Sequence, residues 1–198
     1  MAVSWTRHRF SGGTLALDTT NTVVHRGDAT RSFDRFEDPQ EIARFAAAAQ
    51  GFRAAEIGDR RLCVIDASAI RETVLAIRET TDALFRGGAA GGELDPVSLP
   101  PFLRACADGL DAAGQSGPGR HEASAVAFEA ALAMSALALL SQQNYRRIRV
   151  CPNCNWLFLD RSRNASRLWC DMTVCGNRQK AKRHYRRRKA TEEDFPNA

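Results

Sequence analysis

The stretch that decides the reading is Val150-Cys151-Pro152-Asn153-Cys154-Asn155-Trp156-Leu157-Phe158-Leu159, followed ten residues later by Trp169-Cys170-Asp171-Met172-Thr173-Val174-Cys175-Gly176-Asn177-Arg178. Four of the chain's six cysteines fall within 25 positions, as Cys151-x2-Cys154, fifteen residues, and Cys170-x4-Cys175. Zinc takes four tetrahedral thiolate or imidazole ligands, and two close pairs supply them with little chain strain. Pro152 stiffens the first turn, so its two sulfurs face one point. The fifteen intervening residues are enough for a hairpin that returns to the second pair. Four protein ligands leave no position open to water, so the expected cofactor is one structural Zn2+ per chain. Its binding should supply much of the local folding energy. Disulfides and an iron–sulfur cluster are the competing readings of this spacing. Cys63 and Cys106 sit inside apolar patterns and read as buried thiols.

Charge is distributed just as unevenly. Residues 145–189 carry 14 Lys+Arg against 2 Asp+Glu, whereas residues 1–144 carry 14 against 18, within a net charge of +5 for all 198 residues. Beyond Cys175, Arg178, Lys180, Lys182, Arg183, Arg186, Arg187, Arg188 and Lys189 meet no acid before Glu192. On a helix these charges wrap most of the circumference and repel one another unless a polyanion is near. The expected partner is nucleic acid, with Arg161, Arg163 and Arg167 adding a second row of contacts and His184 and Tyr185 beside them. DNA is favoured, and RNA stays open because phosphate attraction does not separate the two. A membrane-surface role needs an apolar face, and residues 178–189 offer only Ala181 and Tyr185.

The remainder is 145 residues of a chain that is 44% hydrophobic, enough for a core of its own. Its pattern is helical. Leu15 to His25 reads as a first helix. Asp38-Pro39 opens a second that closes at Gly51. From Ser68, the residues Ile70, Val74, Ile77, Thr81 and Leu84 share a face, with Arg71, Glu72, Arg78, Glu79 and Asp82 away from it and Gly87-Gly88 as the stop. Leu99, Leu103, Cys106 and Leu110 mark a helix to Ala113. An Ala-rich helix from His121 to Tyr145 should lie at the centre. Short strands are expected from Val3–Phe10 or Leu62–Ile65, the latter being strand or buried turn. Residues 1–13 lack the apolar core of a signal peptide. The apolar run from Ala123 to Leu140 is interrupted by Ser124, Glu129 and Ser135 and reads as a buried helix, not a span. A cytoplasmic protein without membrane partners is expected.

Several of these residues form a recognisable set. Trp156-Leu157-Phe158-Leu159-Asp160-Arg161-Ser162-Arg163-Asn164, Trp169-Cys170, Met172, Cys175-Gly176-Asn177-Arg178 and Lys180 closely resemble the CGNR zinc-finger family. Members of that family pair the finger with an N-terminal helical domain of the ABATE type, and Leu15-Ala16-Leu17-Asp18-Thr19-Thr20-Asn21-Thr22 is similar to that domain's opening motif. The resemblance implies a stress-induced transcription regulator. Leu168 stands where Arg is common in the family, and Asp171 where Ser is common. The expected architecture is an all-α (multihelical) N-terminal domain, residues 1–145, and a small treble-clef-like zinc finger with a basic C-terminal helix, residues 146–198.

Within the helical domain, Asp18, Asn21, Thr22 and His25 recur at helical spacing. They read either as the wall of a pocket for a small-molecule effector or as a solvated, capping face. The body is expected to sense a signal or to mediate homodimerisation. Catalysis is not expected: His8, His121 and His184 have no Cys, Ser or carboxylate partner at a recognisable spacing, and no Gly-rich phosphate loop occurs. An RNA-binding or ribosome-associated module, and an enzyme working through the Asp18–Asn21–Thr22 face, are the alternatives.

Overall fold

In the computed structural model, which describes residues 3–58, 60–116 and 124–194, the opening motif becomes a short buried helix. A 3-10 turn, Arg7–Phe10, leads to α1, Leu15–Thr20, all of whose residues are buried. Six residues cannot sustain a helix by themselves, and side chains from three directions satisfy its first N–H groups. Leu15 N donates to Glu56, Ala16 N to Ser135 Oγ and Leu17 N to Thr14 Oγ1. The helix stops at Thr20, short of the predicted His25. Val23–Val24 (β1) instead pairs antiparallel with Phe33–Asp34 (β2), and His25 takes φ 52°.

Asp38 opens α2, Gln40–Phe52, by accepting from Gln40 N, and the helix runs through Gly51 before the single turn α3, Ala54–Ile57. The ambiguous apolar run is a strand: Arg61–Cys63 (β3) lies parallel to Ala125–Ala127 (β4). Between them come α4, Ala67–Gly91, and α5, Leu99–Ser116. Asp66 caps α4, which continues past Gly87-Gly88 to a left-handed Gly92. The predicted Val74, Ile77, Thr81 and Leu84 face is buried, but so are Arg78 and Asp82, because α4 is covered on more than one side.

The phase of α5 also departs from the prediction. Phe102, Ala105 and Cys106 point inward, whereas Leu103 and Leu110 are exposed. The Phe102 ring meets Phe85 edge-on at 5.7 Å, and that contact with α4 sets the rotation. The predicted long Ala-rich helix is divided into β4, then α6, Phe128–Ala138, and α7, Gln142–Tyr145; residues 121–123 lie outside the described set. Ala125–Ala127 completes the edge of β3 and so cannot be helical. The core of α6 is as expected, with Phe128, Leu132, Ala133 and Ala136 fully buried.

The C-terminal module begins with Ile148–Val150 (β5), antiparallel to Leu157–Leu159 (β6). This hairpin brackets the first cysteine pair, instead of following it as predicted. A tight turn, Met172–Gly176, then leads into α8, Asn177–Asp194. The alternation of β6 welds the two parts together. Leu157 and Leu159 belong to the core of the helical domain, while Trp156 and Phe158 face the cysteines. Among the described residues, the result is a helical N-terminal domain with two short strand pairs, bearing a small zinc-finger module with a third pair and a basic helix. No helix among the described residues is long and apolar enough to cross a membrane.

Candidate functional site

The sulfurs of Cys151, Cys154, Cys170 and Cys175 all lie within 4.8 Å of one another, the one such ligand cluster among the described residues. Cys154 Sγ is 3.5 Å from Cys170 Sγ, and Cys170 Sγ 3.7 Å from Cys175 Sγ. These distances are too long for a disulfide, whose sulfurs sit about 2 Å apart. They match a tetrahedron with zinc–sulfur bonds of 2.3 Å, which places sulfurs about 3.8 Å from each other. All four cysteines are free, and three are buried. Hydrogen bonds from Cys154 and Cys170 push the Cys151 thiol down, and the same contacts push the Cys154 and Cys170 thiols up. A dication removes that competition for protons, so the donor set fits one structural Zn2+.

Each pair is shaped by its own turn. In the first, the Cys151 carbonyl accepts from Asn155 N at 2.8 Å, and Cys151 N donates to Trp156 O at 2.8 Å, with Asn155 at φ 62°. In the second, Asp171 Oδ1 accepts from Thr173 N at 2.8 Å and Val174 N at 3.3 Å, fixing the turn that carries Cys175. Asp171 Oδ2 is 3.0 Å from His8 Nδ1, and the His8 ring stacks on Trp156 at 5.2 Å. Asp171 therefore ties the module to the N-terminal segment.

The basic residues divide by role. Arg178, Lys180, Lys182, Arg183, Arg186 and Arg187 are all exposed on α8. The first turn of that helix is held to the knuckle where Gln179 Nε2 donates to Asn153 Oδ1 at 2.9 Å. Arg161 and Arg163 are exposed on the segment between the cysteine pairs. Arg167 is half-buried: its guanidinium donates to Trp169 O and Cys170 O and lies 5.1 Å over the Phe158 ring. It braces the second ligand pair. Buried Asp160 organises the same segment by accepting from Ser162 N and Arg167 N; burial pushes its carboxyl up, yet these bonds hold it below the usual range.

Asp18, Asn21 and Thr22 are all buried, and Asn21 reaches across to the zinc-finger module. Asn21 Nδ2 donates to Leu157 O at 2.8 Å, and Asn21 Oδ1 accepts from Leu157 N at 3.0 Å, so one side chain pairs with β6 as a strand would. Asp18 Oδ1 accepts from Gly12 N at 2.8 Å, and Gly12 O in turn accepts from Leu159 N at 2.7 Å. A Cβ at Gly12 would come within 2.8 Å of Asp18 Oδ1 and 2.9 Å of the Leu17 backbone, so this approach requires glycine. Burial pushes the Asp18 carboxyl up to about 7, against the opposing pull of Arg53 and Gly12 N. Thr22 Oγ1 donates to Thr19 O and accepts from Arg78, which also grips Asp34 with both terminal nitrogens. His25 lies apart, at a cleft formed with residues 150–155. Further links come from Arg86, which donates to Asn155 O at 3.1 Å, and from Asn155 Nδ2, which donates to Arg26 O at 2.8 Å. Sequence patterning missed the Arg53, Arg78 and Arg86 partners. For Arg78, which lies among other charges beside the apolar stripe, the pattern carried no signal of burial.

A buried four-sulfur metal site that carries an exposed basic helix and is locked to a helical domain defines a zinc-finger protein with a fused α-helical body. The ABATE model, described as "Putative stress-induced transcription regulator", matches residues 13–143, and the CGNR zinc-finger model matches residues 147–188. The chain belongs to the ABATE family and carries a CGNR zinc finger at its C-terminal end. No curated protein and no solved structure matches it.

Proposed function

We propose that the protein is a DNA-binding transcription regulator of the stress response, acting in the cytoplasm by binding and not by catalysis. The observation that carries this reading is α8. Its cations are exposed along the helix, and the four-cysteine site and Gln179 hold its first turn in place. A fixed cationic helix is the usual element for reaching phosphates and a groove. Arg161 and Arg163 extend the basic surface on the preceding segment. A reducing compartment keeps the four thiols available to the metal. The side chain of Asp18 is taken up by Gly12 N and Arg53, that of Asn21 by Leu157 and that of Thr22 by Arg78, which speaks for a scaffold at that face and against a reaction centre. The helical body would set the activity of the module by sensing an effector or pairing two chains.

Selection from a mixed pool of genomic duplex fragments and cellular RNA, with zinc-loaded protein near physiological salt, tests this. Recovery of a recurring duplex motif is expected. About six phosphate contacts would give a log–log salt slope of about −5. Preferential retention of RNA, or equal capture of every duplex, would overturn the sequence-specific DNA reading.

A further inference from the structure

Between β3 and the helices α4, α5 and α6 lies a cavity of about 320 Å³, a volume at the small end of ligand pockets. Ile65, Ala69, Ile70, Ala112 and Ala127 make much of its wall apolar. Ile65 is 71% exposed, so the cavity opens to solvent beside it. One carboxyl enters from the interior. Glu129, in the first turn of α6, is 3% exposed and lines the cavity. Its carboxyl has no partner in another side chain among the described residues; its own backbone N–H is the hydrogen-bonding group in reach. Burying an acid with no side-chain partner in an apolar interior is costly, and its place in the first turn of α6, with its own N–H, offsets only part of that cost. The second acid of the lining, Asp66, caps α4 by accepting from Ser68 N and Ala69 N. No Lys, Arg or His is among the described residues that line it.

We propose that this cavity binds a small organic cation, an apolar body bearing a primary amine, with the Glu129 carboxylate as its counter-ion. An ammonium group donates three hydrogen bonds and supplies the charge partner that Glu129 lacks. The apolar walls suit a hydrocarbon body. An anionic ligand would meet two acids, and a neutral one would leave Glu129 without a charge partner. Burial pushes the Glu129 carboxyl above its ordinary range, and an ammonium within hydrogen-bond reach would draw it back toward the ionised form. This site goes beyond the nucleic-acid reading, and its occupancy stands or falls whether or not α8 touches DNA.

Benzylamine and its uncharged counterpart benzyl alcohol, titrated calorimetrically into the zinc-loaded full chain near neutral pH, provide the test. Benzylamine should bind at least about tenfold more tightly than the alcohol, and Glu129→Gln should abolish that preference. Ala112→Leu, which narrows the cavity from a half-buried position on α5, should weaken both probes by about tenfold with zinc content unchanged. An amine that binds no better than the alcohol, or a preference that survives Glu129→Gln, overturns the role of Glu129. Binding that ignores Ala112→Leu places the amine elsewhere and overturns the cavity. Should Glu129→Gln fail to fold, alkylation of Cys63 on the cavity wall, read by peptide mass spectrometry, decides. Saturating benzylamine should slow it several-fold, and an unchanged rate overturns the proposal.

Discussion

The helical body and the cysteine module are held together by opposite means. The body buries Phe36, Phe45, Phe85, Phe102 and Phe128 together with Leu15, Leu17, Ile42 and Ile77, a core that owes nothing to a metal. The module's own cluster is Cys151, Trp156, Phe158, Cys170 and Cys175, too small to stand alone, and β6 turns its other face into the body's core. Small domains rarely bury enough apolar surface to be stable unaided. Here the module is secured twice, by its sulfurs on one side and by Leu157 and Leu159 on the other. The helices α6 and α8 sharpen the contrast. Neither is amphipathic, yet α6 is apolar because most of it is buried, Met134 apart, and α8 is charged because it is exposed along its described residues, save the half-buried Gln179. Uniform character marks a helix as extreme in its surroundings, and the sign of the hydropathy says which extreme.

The largest expected effect falls on the metal-dependent half. Cys170→Ser, or chelation, should bring bound zinc well below one per chain, open residues 160–178 to protease and weaken nucleic-acid capture by about tenfold or more, since structural zinc supplies on the order of 10 kcal/mol in finger peptides. The helical signal of the body should persist. Full occupancy and protease resistance in the variant, by metal analysis and limited digestion, would refute the four-ligand assignment.

Next comes the seam. Asn21→Ala leaves Leu157 N and O, both buried in the junction, without their partner and should cost about 2–4 kcal/mol, with separate urea transitions for the two halves. A single transition within about 0.5 kcal/mol of the wild type would mean that apolar contact alone joins them. Asp18 tests the same seam through pH. Its native carboxyl is pushed up to about 7 from 3.8 by burial, so the native state holds a proton that the unfolded chain releases. Stability from this group is present at low pH and falls as pH rises from about 4 to about 7. Asp18→Asn should remove that slope, shifting the difference between variant and wild type by about 1–3 kcal/mol across the window. Parallel urea midpoints across the same range would show the carboxyl to be ionised throughout.

The smallest effect belongs to the exposed helix. Arg183→Ala should leave the urea midpoint within about 0.5 kcal/mol while reducing the magnitude of the salt slope for nucleic acid by about 1. An unchanged slope would remove Arg183 from the contact surface.

How much was legible follows from the range of each interaction. The zinc ligands lie within 25 positions, and their spacing reports a geometry closed by two local turns. The basic character of α8 is likewise a property of its own residues. The rotation of α5 was misread because Leu103 and Leu110 fit the helical period as well as Phe102 does, and only Phe85 on another helix distinguishes them. Arg78 and Asp82 look like a solvated face until β2 and β5 are placed beside α4. Glu129 was visible as a lone acid in an apolar run, but the cavity that gives it meaning needs β3, α4 and α5 around it.

The same division separates what the chain's order of residues determines alone from what folding adds. Cysteine spacing, the helical periods and the segregation of charge are local, and they suffice for the metal site, the helical class of the body and the cationic helix. The use of Asn21 was decided only in three dimensions. Its partner is 136 residues away, and nothing in the local pattern of a short polar helix end specifies a distant strand. That bond exists because β6, buried on both faces, presents its backbone N–H and C=O at Leu157 to α1, where no water can satisfy them and a side-chain amide can.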